Sequence, residues 1–212
     1  MTRQPERPGA QQWVPPEGDV SALRAAAPGC RGCELWAPAT QVVFSSGDPD
    51  APLVLVGEQP GDKEDREGAP FVGPAGRLLD EALEAAETSR SEVYLTNAVK
   101  HFRFEERGPR RIHKTPAVGH IRACLPWLTA ELAAVEPRVV VALGGTATQA
   151  VLGRDESVTS LRGRLLEPPD APLRTLVTVH PSSVLRVRGS AERAAALDGL
   201  VADLRIAVAA AR

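Results

Sequence analysis

The sequence predicts an α/β fold of three layers, α/β/α, around a central, mainly parallel sheet. Four apolar runs, Leu53–Val56, Val93–Thr96, Arg138–Leu143 and Leu173–Val179, have the length of buried strands and are too short for helices. Between them lie stretches whose apolar residues recur at helical spacing, and this alternation builds parallel sheets covered on both faces. Each run also stops abruptly at a polar residue or a glycine, which collects the loops on one rim of the sheet.

The elements follow in order. Residues 1–19, rich in Pro, Gly and Gln, read as a mobile lead-in, and residues 20–212 as a single domain. A short helix is expected to Ala27, capped by Asp19 and stopped by Pro28 and Gly29, directly ahead of the pair Cys30 and Cys33. Val42–Phe44 is a weak strand candidate and residues 45–52 carry turn chemistry. The run from Leu53 halts at Gly57, Glu58, Gln59, Pro60 and Gly61, a turn whose backbone can approach a ligand closely. From Pro74, the spacing of Leu78, Leu79, Ala82, Leu83 and Ala86 predicts a helix. The strand Val93–Thr96 ends in Asn97 and opens into a long irregular segment. A helix from about Ala117 to Val135 follows. The strand ending at Leu143 runs through Gly144 and Gly145 into an Ala-rich helix. After turn-rich residues 162–172, the last strand leads to His180, Pro181 and Ser182, and residues 191–210 form an amphipathic helix.

Composition narrows the function. The 212 residues carry a net charge of -2, so no global basic footprint marks a nucleic-acid binder, and any such contact must come from a local patch. One exists. Lys100, Arg103, Arg107, Arg110, Arg111 and Lys114 stand against Glu105 and Glu106, with Phe102 and Phe104 interleaved, a mixture suited to phosphates and unstacked bases. No apolar run is long enough to span a bilayer and the start lacks an apolar leader, so a cytoplasmic monomer without membrane contact is expected, nucleoid-associated when bound to DNA. Three cysteines in a reducing compartment read as thiols or metal ligands. Cys30, Cys33 and Cys124 with one histidine make a four-ligand set that suits zinc and an iron–sulfur cluster equally.

Ligands of open α/β sheets bind beyond the carboxyl ends of the strands. Glu58, Asn97 and His180 occupy three such ends. A carboxylate, an amide and an imidazole on one rim can orient a polar ring and stabilise developing charge.

The segments GEQPGDKEDREGAPFVGPAGRLLD, TNAVKHF, RRIHKTP, ACLPWL and TVHPSSVLR, in that order, resemble the iron–sulfur branch of the uracil-DNA glycosylase superfamily. Within it they most resemble the UdgX-type subgroup, whose members join covalently to uracil-containing DNA; Gln59 and the RRIH insertion with His113 carry that distinction. The pattern departs at Pro109, where the subgroup has Lys. The resemblance implies a [4Fe-4S] cluster held by Cys30, Cys33, His101 and Cys124. It implies a uracil pocket formed by Gly57, Gln59, Gly61, Phe71 and Asn97, with Phe71 on the base face and Asn97 on its Watson–Crick edge. His180 is expected to donate to uracil O2, Glu58 to stabilise the sugar cation, and His113 to attack C1′. Arg110, Arg111, Lys114, Ser182 and Ser183 are expected to contact DNA, and Val184 and Leu185 to fill the gap left by a flipped base. The partner would be uracil-containing DNA, single-stranded or with the uracil flipped out.

Overall fold

Period-2 alternation along the apolar runs decides which layer each side chain joins. The computed structural model describes residues 7–212. Its elements are α1 (Val20–Ala26), β1 (Ser45–Gly47), β2 (Leu53–Gly57), α2 (Asp62–Glu67), α3 (Pro74–Ala85), β3 (Tyr94–Asn97), β4 (Phe104–Arg107), β5 (Arg110–His113), α4 (Val118–Val135), β6 (Val139–Leu143), α5 (Gly145–Leu152), α6 (Val158–Leu161), β7 (Leu165–Leu166), β8 (Thr175–Thr178), α7 (Pro181–Leu185) and α8 (Ser190–Ala211). The six-stranded sheet has the order β1-β3-β2-β6-β8-β7, and its four inner strands run parallel. β1 and β7 pair antiparallel at the two edges. Val54, Val56, Val140, Ala142 and Val177 share one core with Leu23, Ile121, Leu128 and Ala147 of α1, α4 and α5. Leu53, Leu55, Val139, Val141 and Leu176 share the other with Leu79, Leu83, Leu200 and Leu204 of α3 and α8. The predicted three layers form, with the central strands buried on both faces.

Local departures from the sequence reading have physical causes. Val42–Phe44 is not a strand. Val43 and Phe44 are buried anchors, and the edge strand begins after them, where Ser45 pairs with Thr96 through the backbone and needs no apolar side chain. Part of the lead-in is tied to the domain: Gly9 N–H donates to Gly32 O (3.0 Å), Ala10 N–H to Ala123 O (2.8 Å), and Arg7 binds Glu34. Residues 1–6 lie outside the described residues. The segment after Asn97 contains a two-stranded hairpin, β4 with β5, in which Phe104 pairs with His113 and Arg107 with Arg110. Gly108 has φ 56° at the first position of its two-residue turn, where a primed hairpin turn requires positive φ, and Pro109 fills the second. Pro109 is therefore compatible with the hairpin. The polar helix α2 was not foreseen, because no apolar stripe announces it.

Candidate active site

Four parallel strands end on one rim and deliver the polar groups there. Gly57 closes β2 opposite Asn97 at the end of β3. A Cβ on Gly57 would lie 2.4 Å from Asn97 Oδ1 and 2.6 Å from the Phe71 ring, so glycine lets the amide and the ring meet over the strand end. Phe71 itself has φ 56°, a conformation a bulky residue adopts only when its surroundings impose it. Arg90 imposes it by donating to Phe71 O (2.7 Å) while its guanidinium is anchored on Asp80 (2.8 Å). The Phe71 ring stacks beside His180, with centroids 6.1 Å apart. Asn97, Phe71, Glu58, His113 and His180 line one cleft of roughly 980 Å³.

The two carboxylate oxygens of Glu58 have separate partners. Thr146 Oγ1 donates to Oε2 (2.7 Å), and His113 Nε2 stands 3.3 Å from Oε1. Burial lowers the pKa of His113 below the usual imidazole value; Glu58 opposes the shift and Arg186 adds to it. His180 is pushed down to about 4 by burial, with Arg186 and His113 adding to the effect, so its ring is neutral near pH 7. Its Nδ1 accepts from Ser182 N–H (3.1 Å), which leaves the ring proton on Nε2 as a donor.

His113 reaches the cleft on the β4–β5 hairpin, and that hairpin is clasped from below. Gln59 is buried and donates through Nε2 to Arg103 O and Lys114 O (3.2 Å each), while its Oε1 accepts from Arg103 N–H (3.1 Å). Arg111 binds Asp62 (2.5 Å) and the fully buried Asp65 (2.6 Å) and lies over the rings of Phe102 and Phe104. Gly61 N–H and Gly73 N–H both donate to Glu64, which ties the turn after β2 to the start of α3.

Several expected contacts are committed elsewhere. The Gln59 amide holds the hairpin, so all three of its hydrogen bonds are to backbone. Arg111 is engaged by two carboxylates, those of Asp62 and Asp65. Ser182 and Ser183 use their N–H groups and hydroxyls on His180, where Ser183 Oγ donates to the His180 carbonyl (2.7 Å). Val184 is buried in the core and is not an exposed wedge; Leu185 is half-buried and lines the cleft. Arg110 is exposed near the hairpin turn, and Lys114 pairs with Glu105 (2.8 Å). Thr146, Glu64 and Arg186 escaped the sequence reading. Thr146 had a signal, since it follows the carboxyl end of a fourth strand; the other two had none.

Cys30, Cys33, Cys124 and His101 are all buried. Burial pushes the Cys33 thiol up to about 11 and the Cys124 thiol up to about 12, and ionised Cys30 and Cys33 would each oppose ionisation of Cys124. His101 is pushed down to about 4 by burial. Among the described residues, no three His, Cys, Asp or Glu side chains converge on a position for a single metal ion.

Comparison with known proteins agrees with this architecture. Residues 44–205 match the family model described as the uracil DNA glycosylase superfamily. A type-4 uracil-DNA glycosylase of Thermotoga maritima is 37% identical over 172 residues, covering 81% of this chain and 85% of that protein. A type-4 uracil-DNA glycosylase of Sulfurisphaera tokodaii is 33% identical, covering 74% and 71%. A type-5 uracil-DNA glycosylase of Pyrobaculum aerophilum is 31% identical, covering 72% and 70%. A rim of Glu58, Asn97 and His180 on a mainly parallel sheet, together with a family match across most of the sequence, leads to one conclusion: the chain belongs to the uracil-DNA glycosylase superfamily.

Proposed function

We propose that this protein excises uracil from DNA and stays joined to the resulting deoxyribose through His113, as the UdgX-type resemblance implies. The observation that carries the reading is the approach of His113 Nε2 to within 3.3 Å of Glu58 Oε1 inside the cleft shared with Asn97, Phe71 and His180. A flipped uracil would stack on Phe71, and the Asn97 amide would donate to O4 and accept from N3–H. Cytosine presents the opposite pattern and would leave buried polar groups unpaired, at about 1–3 kcal/mol each.

As the C1′–N1 bond lengthens, negative charge gathers on uracil and positive charge on the sugar. The neutral His180 donates from Nε2 to uracil O2, and the Glu58 carboxylate faces the sugar. One imidazole nitrogen of His113 bonds to C1′ through its lone pair while uracil leaves as an anion. The proton on the other nitrogen passes to Glu58, so the alkylated ring ends neutral. Expelling that ring again would require it to leave as an anion, so the adduct persists. A hydrolytic enzyme brings water to the same carbon and turns over.

The buried Cys30, Cys33, Cys124 and His101 would hold the [4Fe-4S] group that the resemblance implies. Cys33 and Cys124 resist ionisation in their apolar surroundings, so cationic iron bound there would favour their thiolates, and neutral His101 keeps a lone pair for the fourth position. Bound there, a [4Fe-4S] group would supply a crosslink between the segment of Cys30 and Cys33, the end of β3 and α4.

Mixing the protein with a fluorescent single-stranded oligonucleotide bearing one uracil, heating in SDS and running a denaturing gel tests the reading. A shifted band is expected for the wild type and none for His113→Ser; an equal band in both would refute the assignment. A second reading, a turning-over hydrolase, draws on the 37% identity to the Thermotoga maritima type-4 glycosylase. It predicts unshifted DNA carrying abasic sites in the same tubes.

A further inference from the structure

We propose that Thr146 is a positioning residue for the reaction, its hydroxyl holding Glu58 Oε2 so that Oε1 is turned toward His113. The inference rests on the reading of His113 as the trapping nucleophile. Glu58 lies in the turn after β2, on a side chain with three rotatable bonds, and its carboxylate has to meet both the sugar carbon and the imidazole. One oxygen cannot do this reproducibly unless the other is fixed. The Thr146 hydroxyl fixes it at 2.7 Å, leaving Oε1 facing His113 Nε2 at 3.3 Å.

Thr146 is itself held by the turn between β6 and α5. Gly144 has φ 86°, and a Cβ there would lie 3.1 Å from the His180 Cβ, so the turn packs directly against the base-side histidine. Thr148 Oγ1 donates back to Gly144 O (2.9 Å) and Gly144 N–H donates to Thr178 O (2.9 Å), which ties the turn to β8. Thr146 thus sets the sugar-side carboxylate from the same turn that backs His180. A hydroxyl that merely decorates the first turn of α5 would not aim at a half-buried carboxylate.

The test compares Thr146→Val, which keeps the shape and removes the hydroxyl, with Thr146→Ser, which keeps the hydroxyl. Single-turnover adduct formation on the uracil oligonucleotide is followed as protein concentration rises, which separates the maximal rate from the half-saturating concentration. Thr146→Val should lower the maximal rate roughly tenfold or more with half-saturation unchanged. Thr146→Ser should stay within about threefold of wild type. In a Glu58→Gln background, adding Thr146→Val should cause no further loss, because the two residues act as a unit. Wild-type rates in Thr146→Val, no rescue by Ser, or a full additional loss in the Glu58→Gln background would each overturn the proposal. If the wild type leaves abasic sites and no adduct, the trapping reading fails instead. The same variants are then compared by abasic-site yield, where an undiminished Thr146→Val still counts against Thr146.

Discussion

His113 and His180 both have their pKa values pushed below the ordinary imidazole value of about 6.5, chiefly by burial. The consequence for rate has a definite sign. Protonation would remove the lone pair of His113 and the acceptor that Ser182 N–H uses on His180, and the depressed values delay both events to lower pH. Single-turnover adduct formation should therefore reach half its maximum only below pH 6.5; a half-loss at or above pH 6.5 would contradict the geometry. Stability follows the same direction. Between pH 6.5 and about 4 the unfolded chain binds a proton at His180 that the folded chain refuses, so stability should be full above that window and decline as pH falls through it. Glu58, Asn97 and His180 could be found in the sequence because a strand's end fixes where its next residue goes. Gln59, Arg111, Ser182 and Ser183 were legible as residues of the site but not in their roles. Those roles depend on partners 2 to 55 positions away, which only folding brings within hydrogen-bond distance.

At the scale of elements, the hairpin β4–β5 sets the reach of His113. Three hydrogen bonds from one buried amide hold its base, so Gln59→Ala should free it without disturbing the sheet. The expected outcome is a loss of roughly tenfold or more in adduct rate, with faster amide exchange across residues 104–113 and little change in the core strands. Unchanged exchange in the hairpin would show that the clasp lies elsewhere, with Arg111 on Asp62 and Asp65 the next candidate. The hairpin was not legible because its strands hold one apolar residue each, Phe104 and Ile112, which fall on opposite faces and give no apolar face of the kind that marks a half-buried strand. The basic and aromatic character of the segment was legible, since composition survives without a pairing register.

Across the whole molecule, the sheet divides two apolar cores, and a buried polar network crosses one of them beneath the rim. Lys100 Nζ pairs with Glu131, and it donates to Thr96 Oγ1 (2.5 Å) and to the carbonyl of Asn97 (3.0 Å). Tyr94 and Thr96 donate to the same Glu131 carboxylate (2.8 Å each). Burial, with Glu131 beside it, pushes the Tyr94 phenol up, so it remains a donor throughout the ordinary pH range. Glu131→Ala leaves a buried ammonium uncompensated and should destabilise the protein by about 3–5 kcal/mol. Urea unfolding checks this, and a loss of under about 1 kcal/mol would mean the network relaxes around the deletion. The parallel sheet was legible because its strands are apolar on both faces, whereas this network was not, since no periodic pattern marks Lys100 or Glu131. The central claim, that the whole protein becomes one covalent species with its DNA, is tested most directly by mass. The intact adduct should weigh the protein plus the oligonucleotide less one uracil, and peptide mapping should place the added deoxyribose on His113; a free protein mass beside abasic DNA, or the sugar on another residue, would contradict it.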